Sequence, residues 1–175
     1  SHIRGLLINF LHHMFPTLLV AFPDFVKCFA TPLVRVKAGP DTLNFFTEHD
    51  FRTWRALREQ DGGPVGTAKY FKGLGALSNS LAKTFFSEME KFTVTLSFSG
   101  QRCTDRLGMY FDEKQTAARK TILSEEYDAA RVFDFACQLA SIHQWCDEDL
   151  SHFMMYNNSR MFPSVVDGLK TSQRK

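Results

Sequence analysis

The chain has 175 residues, of which 44% are apolar and 23% are charged, and its formal net charge is +2. This composition is ordinary for a globular protein and excludes intrinsic disorder. The small net charge excludes any inference of a nucleic-acid or membrane partner from charge alone. The length is enough for one sizeable core, or for one core and part of another.

Four cysteines, Cys28, Cys103, Cys137 and Cys146, are scattered along the chain without a Cys-x-x-Cys pair. Since there is also no signal peptide, they predict free, mostly buried thiols in a reducing compartment. The longest apolar stretches, such as residues 18–22, are far too short to cross a bilayer. We therefore expect a soluble intracellular protein with no membrane partner.

The first predicted element is an amphipathic helix at the start of the chain, ended by Phe15-Pro16 because the residue before proline avoids helical geometry. Apolar residues at helical spacing form one face, which we expect to pack into the core. They are Ile3, Leu6, Leu7, Phe10, Leu11 and Met14. Because the chain begins and ends inside predicted elements without caps, both ends are expected to be edges of something larger.

Residues 27–37 are predicted to be extended, and residues 38–41 form a turn into a returning strand over 42–46. Thr47 precedes Asp50 by three residues, which predicts the N-cap of a helix that turns Phe51, Trp54 and Leu57 inward.

The segment "DGGPVG" at 61–66 is predicted to be a loop. After the apolar pair at 70–71 comes Lys72-Gly73-Leu74-Gly75, and Ser78 or Ser80 is expected to cap a helix carrying Leu81, Phe85 and Met89.

The alternating segment "FTVTLSF" at 92–98 predicts a strand, and residues 104–111 and 113–127 predict two helices. Residues 131–157 are predicted to be mostly helical, and the proline at 163 to mark the entry into a last helix. Interleaved strands and helices make α/β the predicted class.

Two segments could bind anions. Glycines in "YFKGLG" at 70–75 would let backbone N–H groups approach a phosphate beside Lys72, although the residues alone favour a plain turn with a solvated lysine. The cations and the glutamine near the chain's end could contact DNA phosphates, although a solvated helix end is an equal alternative. These residues are Arg160, Lys170, Gln173, Arg174 and Lys175.

A zinc site at Cys137, His143, Cys146 and His152 is not predicted, because their spacing matches no familiar zinc finger. No Gly-x-Ser-x-Gly elbow or complete phosphate-binding loop occurs either. The residues alone therefore predict an α/β protein with a candidate anion site and no visible catalytic centre.

Three stretches that occur together and in this order along the chain change this interpretation: "SHIRGLLINF" at 1–10, "KYFKGLG" at 69–75 and "FPSVVDGLKTSQRK" at 162–175. Together they resemble type IIA DNA topoisomerases of eukaryotes and large DNA viruses. The intervening "DRLGMYFDEKQTAARKTIL" at 105–123 and "DLSHFMMYNNSRMFPS" at 149–164 are similar to the same family. The resemblance covers nearly the whole chain and is weakest over 126–147.

The resemblance implies the C-terminal half of a Rossmann-like TOPRIM domain with following helices over 1–125. A connector and the start of a winged-helix breakage–reunion domain would follow over 126–175. It also implies a homodimeric, ATP-dependent enzyme that breaks one DNA duplex, passes a second duplex through and reseals the break, relaxing or decatenating DNA. A separate ATPase domain would bind the ATP.

In the family, an Asp-x-Asp-x-Asp-Gly run holds Mg²⁺ and directly precedes Ser-His-Ile. The resemblance therefore implies that the acidic ligands lie upstream of Ser1, with His2 and Arg4 beside the metal site and no ligand in the chain. The nucleophilic tyrosine follows an arginine beyond Lys175, so no residue of the chain is expected to be catalytic.

DNA contacts implied by the resemblance fall at both anion segments. Lys72 and Gly73 match the family's Lys-Gly-Leu-Gly motif, where Ala76-Leu77 replace the usual Thr-Ser and Ser78 or Ser80 could supply the lost hydroxyl. The basic residues of the tail match the winged-helix entry, where Thr171-Ser172 replace Pro-Gly. Those residues are Arg160, Lys170, Gln173, Arg174 and Lys175.

The alternative is a non-catalytic DNA-binding or scaffold protein derived from such an enzyme. Acidic residues before Ser1 and an Arg-Tyr pair downstream would indicate the enzyme, and the lack of either would indicate the scaffold. A TOPRIM nuclease or primase ranks last, since it leaves "VVDGLKTSQRK" unexplained. The expected location is the nucleus for a cellular protein; for a viral one it is the host cytoplasm, a viral replication compartment or the nucleus.

Overall fold

The computed structural model describes residues 2–71, 78–125, 128 and 132–166, and gives only the backbone for 160 and 162–166. The described α-helices are α1 His2–Met14, α2 Pro16–Ala21, α3 Glu48–Gln60, α4 Asn79–Ser87, α5 Gln101–Phe111, α6 Thr116–Leu123, α7 Ile142–Trp145 and α8 Ser151–Val166. The described strands are β1 Val26–Phe29, β2 Val34–Ala38, β3 Asp41–Phe45, β4 Thr67–Tyr70, β5 Thr93–Ser97 and β6 Leu139–Ser141. This alternation confirms the predicted α/β class.

The chain divides into two compact units. The first unit contains residues 1–26, 95–133 and 139–175, and the second contains residues 27–94 and 134–138. The predicted domain division between residues 125 and 126 remains a prediction.

In the second unit, β2 pairs antiparallel with β3 on one side and with β4 on the other. Val34 and Val36 of β2 are fully buried and cluster with Phe51 of α3. Residues directly opposite each other in a ladder share one face. One face of this sheet is therefore apolar and packs on α3, and the other carries the alternate residues.

Helix α3 begins as predicted, because the Thr47 side chain accepts a hydrogen bond from the Asp50 backbone N–H at 3.0 Å. Phe51 is buried and the Phe51 and Trp54 rings stack with their centroids 6.3 Å apart. The prediction that Leu57 turns inward is wrong, since it is 57% exposed. Leu57 lies six residues after Phe51, which places it about 120° around the helix axis.

In the first unit, β5 pairs in parallel with β6, from Thr95 opposite Leu139 to Ser97 opposite Ser141. The alternation predicted for β5 is confirmed, with Leu96 fully buried. The core of the unit contains fully buried side chains from several elements: Leu19, Leu96, Leu107, Ile142, Trp145 and Leu150.

Helix α1 has the predicted extent, but the face that it buries is opposite to the predicted one. Its buried residues are Gly5 and Ile8, and a side chain at Gly5 would meet the Phe111 ring, whose Cζ lies 2.8 Å from the position of an added Cβ. The apolar face predicted to be buried is exposed among the described residues, with Ile3 at 75% and Leu7 at 60%. That face lies across the helix from Gly5 and Ile8, so α1 packs through its least bulky side.

The C-terminal part differs from its predicted helices in three places. Strand β6 lies within the segment expected to be mostly helical, and residues 132–138 form no helix. A 3₁₀ turn at Glu113–Gln115 precedes α6. Helix α8 runs through the proline at 163 instead of beginning there.

The cysteines are free, and Cys28, Cys103 and Cys146 are buried, as predicted. Among the described helices, none combines the length and the apolar character needed to cross a bilayer.

Candidate nucleic-acid interface

The predicted DNA-binding residues fall mostly outside the described part of the chain. Six of them lie outside it: Lys72, Gly73, Lys170, Gln173, Arg174 and Lys175. Arg160 is described as part of the α8 backbone only. Their assignment to DNA contact therefore stays a prediction.

Ser78 is the predicted DNA-binding residue whose side chain the structure describes. Its hydroxyl accepts a hydrogen bond from the Leu81 N–H at 3.4 Å and so caps α4, and it lies 3.2 Å from the Ser80 hydroxyl. The capping role confirms the expectation that Ser78 or Ser80 begins this helix. Ser78 is also exposed, and a hydroxyl keeps a donor while its oxygen accepts the cap bond, so a phosphate oxygen could still bind it.

His2 and Arg4, predicted to lie beside a metal site, begin α1. His2 is exposed. The Arg4 guanidinium lies 3.8 Å from the carboxylate of Asp149, whose side chain is 13% exposed. This ion pair links α1 to the π-helical turn Cys146–Leu150, so Arg4 has a structural partner within the described residues.

A cleft of about 910 Å³ opens in the first unit along α5. Arg106 lies in its wall and its Nε is 3.1 Å from Asp147 Oδ1, so part of the cleft's positive charge is neutralised. Arg102 and His143 also contribute to the lining. The lining mixes Arg102 and Arg106 with Asp105, Asp147 and apolar side chains, and neither the motif nor the tail was predicted to reach this cleft.

Tyr110 is a buried residue of α5 and is not suited to attack phosphate. Burial, with a smaller contribution from the Asp147 carboxylate, raises the pKa of Tyr110 to about 12. The phenol is 6% exposed and stays protonated at neutral pH. The expectation that the nucleophile lies beyond Lys175 stays a prediction.

A network of side chains around His143 was missed by the sequence analysis. His143 Nδ1 lies 3.1 Å from Ser99 Oγ and 3.8 Å from Cys103 Sγ. His143 Nε2 lies 3.3 Å from Ser141 Oγ. Cys103 is fully buried, so this Cys–His contact fastens the start of α5 to β6 and α7 and offers no nucleophile to solvent. Ser99 and Cys103 lie about forty residues before His143 in the chain, and no local pattern signals their contact with it.

Arg119 belongs to the charged stretch that resembled the family, and it holds two elements together. Its guanidinium donates to the backbone carbonyls of Met109 and Asp112, and to Thr116 Oγ1. These carbonyls end α5, so the cation satisfies acceptors that the helix leaves open.

Residues 29–158 match the family model described as the C-terminal associated domain of TOPRIM. The chain belongs to this family. The match spans both described units, from strand β1 to helix α8, and confirms the TOPRIM part of the resemblance seen in the sequence.

Curated relatives match over the full chain. The mitochondrial DNA topoisomerase 2 of Dictyostelium discoideum is 32% identical over 176 residues, and the DNA topoisomerase 2 of Plasmodium falciparum is 31% identical over 175 residues. All of this chain aligns with 13% and 12% of those proteins, respectively. The chain therefore spans a small part of the length of the relatives it matches.

A solved structure shares the fold. The crystal structure of the Plasmodium falciparum topoisomerase II DNA-binding, cleavage and re-ligation domain superposes with a TM-score of 0.78 at 29% identity. The comparison covers 91% of this chain and 21% of that one. The fold predicted from the resemblance, a TOPRIM part followed by helices, is confirmed by this likeness.

Proposed function

We propose that the protein is a type II DNA topoisomerase, and that this chain contributes part of its DNA-binding and cleavage region. The observation that carries the proposal is that the whole of this chain aligns with part of proteins named DNA topoisomerase 2. Support also comes from the fold likeness to a domain named for DNA binding, cleavage and re-ligation. The enzyme would break one duplex, pass a second through it and reseal the break with ATP.

Within this function, Lys72 and Gly73 would contact the cleaved duplex near its scissile phosphates. Ser78 would add a hydroxyl at the start of α4. Arg160, with the cations and Gln173 of the tail, would grip the same duplex. Lysine and arginine bind phosphates without reading sequence, as an enzyme that acts on many DNA sites requires.

The metal and the nucleotide belong to other parts of the proposed enzyme. Among the described residues, no group of three His, Cys, Asp or Glu side chains could hold a metal ion. The described residues therefore do not fit a Mg²⁺ site. That acidic ligands precede Ser1 stays a prediction from the resemblance. The proposed ATP site, homodimer and nuclear or viral location likewise rest on the resemblance, and two relatives carry mitochondrial names.

The test is a topology assay with the full-length protein. Supercoiled plasmid should be relaxed and linked DNA circles separated only when both ATP and Mg²⁺ are present. A denaturant added during the reaction should trap a covalent protein–DNA complex with a broken duplex. Binding of duplex DNA without a trapped complex or a change in topology would favour the non-catalytic scaffold.

A further inference from the structure

The sheet of the second unit has a second face that its helix α3 does not cover. The ladder places Arg35 opposite Asn44 on β3 and opposite Lys69 on β4. The next row places Lys37 opposite Thr42 and Thr67. These six side chains form the polar face of the sheet, since Val34 and Val36 between them point to α3.

The charge of this polar face is of one sign. Arg35, Lys37 and Lys69 are its ionisable residues, and no described carboxylate forms an ion pair with any of them. A sheet face open to water commonly mixes the two signs. Three cations on adjacent strands without acids therefore make an anion-attracting surface.

The three cations differ in their freedom to reach a partner. The Arg35 guanidinium lies 5.6 Å from the centre of the Phe85 ring and its Nη1 is buried, so packing on α4 fixes it. Lys37 and Lys69 are exposed, and Lys69 Nζ lies 5.5 Å from the centre of the Phe71 ring. The two lysines can donate outward, while Arg35 adds a fixed positive charge between the strands.

The spacing fits a polyanionic strand. Lys37 and Lys69 are diagonal neighbours in the ladder, and such residues lie about 7 to 8 Å apart. Long side chains at that separation can bind successive phosphates, and the hydroxyls of Thr42 and Thr67 offer further donors. A single carboxylate or phosphate would use one lysine and leave the rest of the face unused.

We propose that the polar face of the β3-β2-β4 sheet binds the phosphate backbone of double-stranded DNA, with Lys37 and Lys69 as the contacting residues. The proposal rests on the proposed function and extends it from the motif at residues 72–75 to the adjoining sheet face, because Lys69 begins the stretch at 69–75 and Lys37 is its diagonal neighbour on β2. The contacts are with phosphate, so this surface increases affinity for any sequence.

The experiment measures binding of the full-length protein to a fluorescent duplex over a series of salt concentrations. Lys37→Gln/Lys69→Gln should raise the Kd at least tenfold near 0.1 M salt and reduce the slope of log K against log salt by about 2. Lys37→Arg/Lys69→Arg should restore both values, because arginine keeps the charge.

The matched control is Arg52→Gln/Arg55→Gln, which removes the same charge from α3 on the other side of the sheet, where both arginines pair with glutamates. Its slope should equal that of the wild type. If the lysine variant kept the wild-type slope of log K against log salt while the wild type bound duplex DNA, the DNA contact at this sheet face would be disproved. The proposed function would still stand. Failure of the wild type to bind duplex DNA would overturn the proposed function and this surface together.

Discussion

Arg119 donates a hydrogen bond to the backbone carbonyl of Met109 at 2.9 Å, ten residues earlier in the chain. The same guanidinium reaches the carbonyl of Asp112 and the hydroxyl of Thr116. One side chain thus joins the end of α5 to the start of α6. The guanidinium suits this role because it presents several donors in a fixed plane, whereas a lysine would present its three donors from one atom on a flexible stem.

Arg119→Met should loosen this junction, because charge-assisted hydrogen bonds contribute about 1.5 to 3 kcal/mol each. We expect backbone amides over residues 108–116 to exchange with deuterium about tenfold faster or more in the full-length protein. Lys120→Met is the control, since Lys120 is the exposed neighbour on the same helix. Equal exchange rates in the two variants would contradict the role given to Arg119.

The phenol of Tyr110 should ionise only at strongly alkaline pH. Burial raises its pKa to about 12, compared with about 10 for an unperturbed tyrosine. The folded state therefore holds this proton where the unfolded chain has lost it. Its contribution to stability is full below about pH 10, and up to about 2 kcal/mol is lost as the pH rises through about 12.

The measurement is an ultraviolet pH titration of the wild type from which the titration of Tyr110→Phe is subtracted. The difference isolates one tyrosinate, which should appear near pH 12 in the folded protein and near pH 10 in denaturant. A folded midpoint near pH 10 would show that the phenol is solvated.

Local signals in the sequence predicted the elements that short-range chemistry determines. Thr47 precedes Asp50 by three residues, and the structure has the corresponding cap. Alternation predicted β5, where Val94 and Leu96 are buried in turn. These successes share a cause, because a cap or a half-buried strand is specified by residues within a few positions of each other.

The wrong or missed predictions concern which side chains of one element pack against which other element of the same chain. Periodicity located the apolar face of α1, yet Gly5 and Ile8 form the buried side because the missing Cβ of Gly5 admits the Phe111 ring. The contact of His143 with Ser99 and Cys103 spans about forty residues and leaves no local pattern. Tertiary contacts of this kind depend on the whole fold, which the resemblance could indicate and periodicity could not.

The site could be predicted only through the resemblance. Composition favoured a plain turn at Lys72 and did not separate a solvated helix end from a DNA contact in the tail, so the DNA-binding assignment of both stays a prediction from the resemblance. The polar sheet face was not predicted, since Arg35, Lys37 and Lys69 become neighbours only through the pairing of β2 with β4.

Lys72→Ala in the full-length protein should lower DNA cleavage far more than ATP hydrolysis. The reason is that a lysine beside the scissile phosphate stabilises charge at the cleavage site, and the nucleotide is proposed to bind elsewhere. Cleavage is measured as trapped covalent complex and hydrolysis as phosphate release in the same reaction mixture. Equal losses in both assays would remove Lys72 from the cleavage site.

Arg174→Ala/Lys175→Ala should weaken duplex binding and flatten its salt dependence. Each phosphate contact releases counterions and contributes about 0.9 to the slope of log K against log salt, so losing two contacts should reduce the slope by about 2. Combination with Lys37→Gln/Lys69→Gln should give a reduction of about 4, because contacts on separate surfaces release separate counterions. An unchanged slope in the tail variant would show that Arg174 and Lys175 do not contact DNA. They would then be the solvated cations of a helix end.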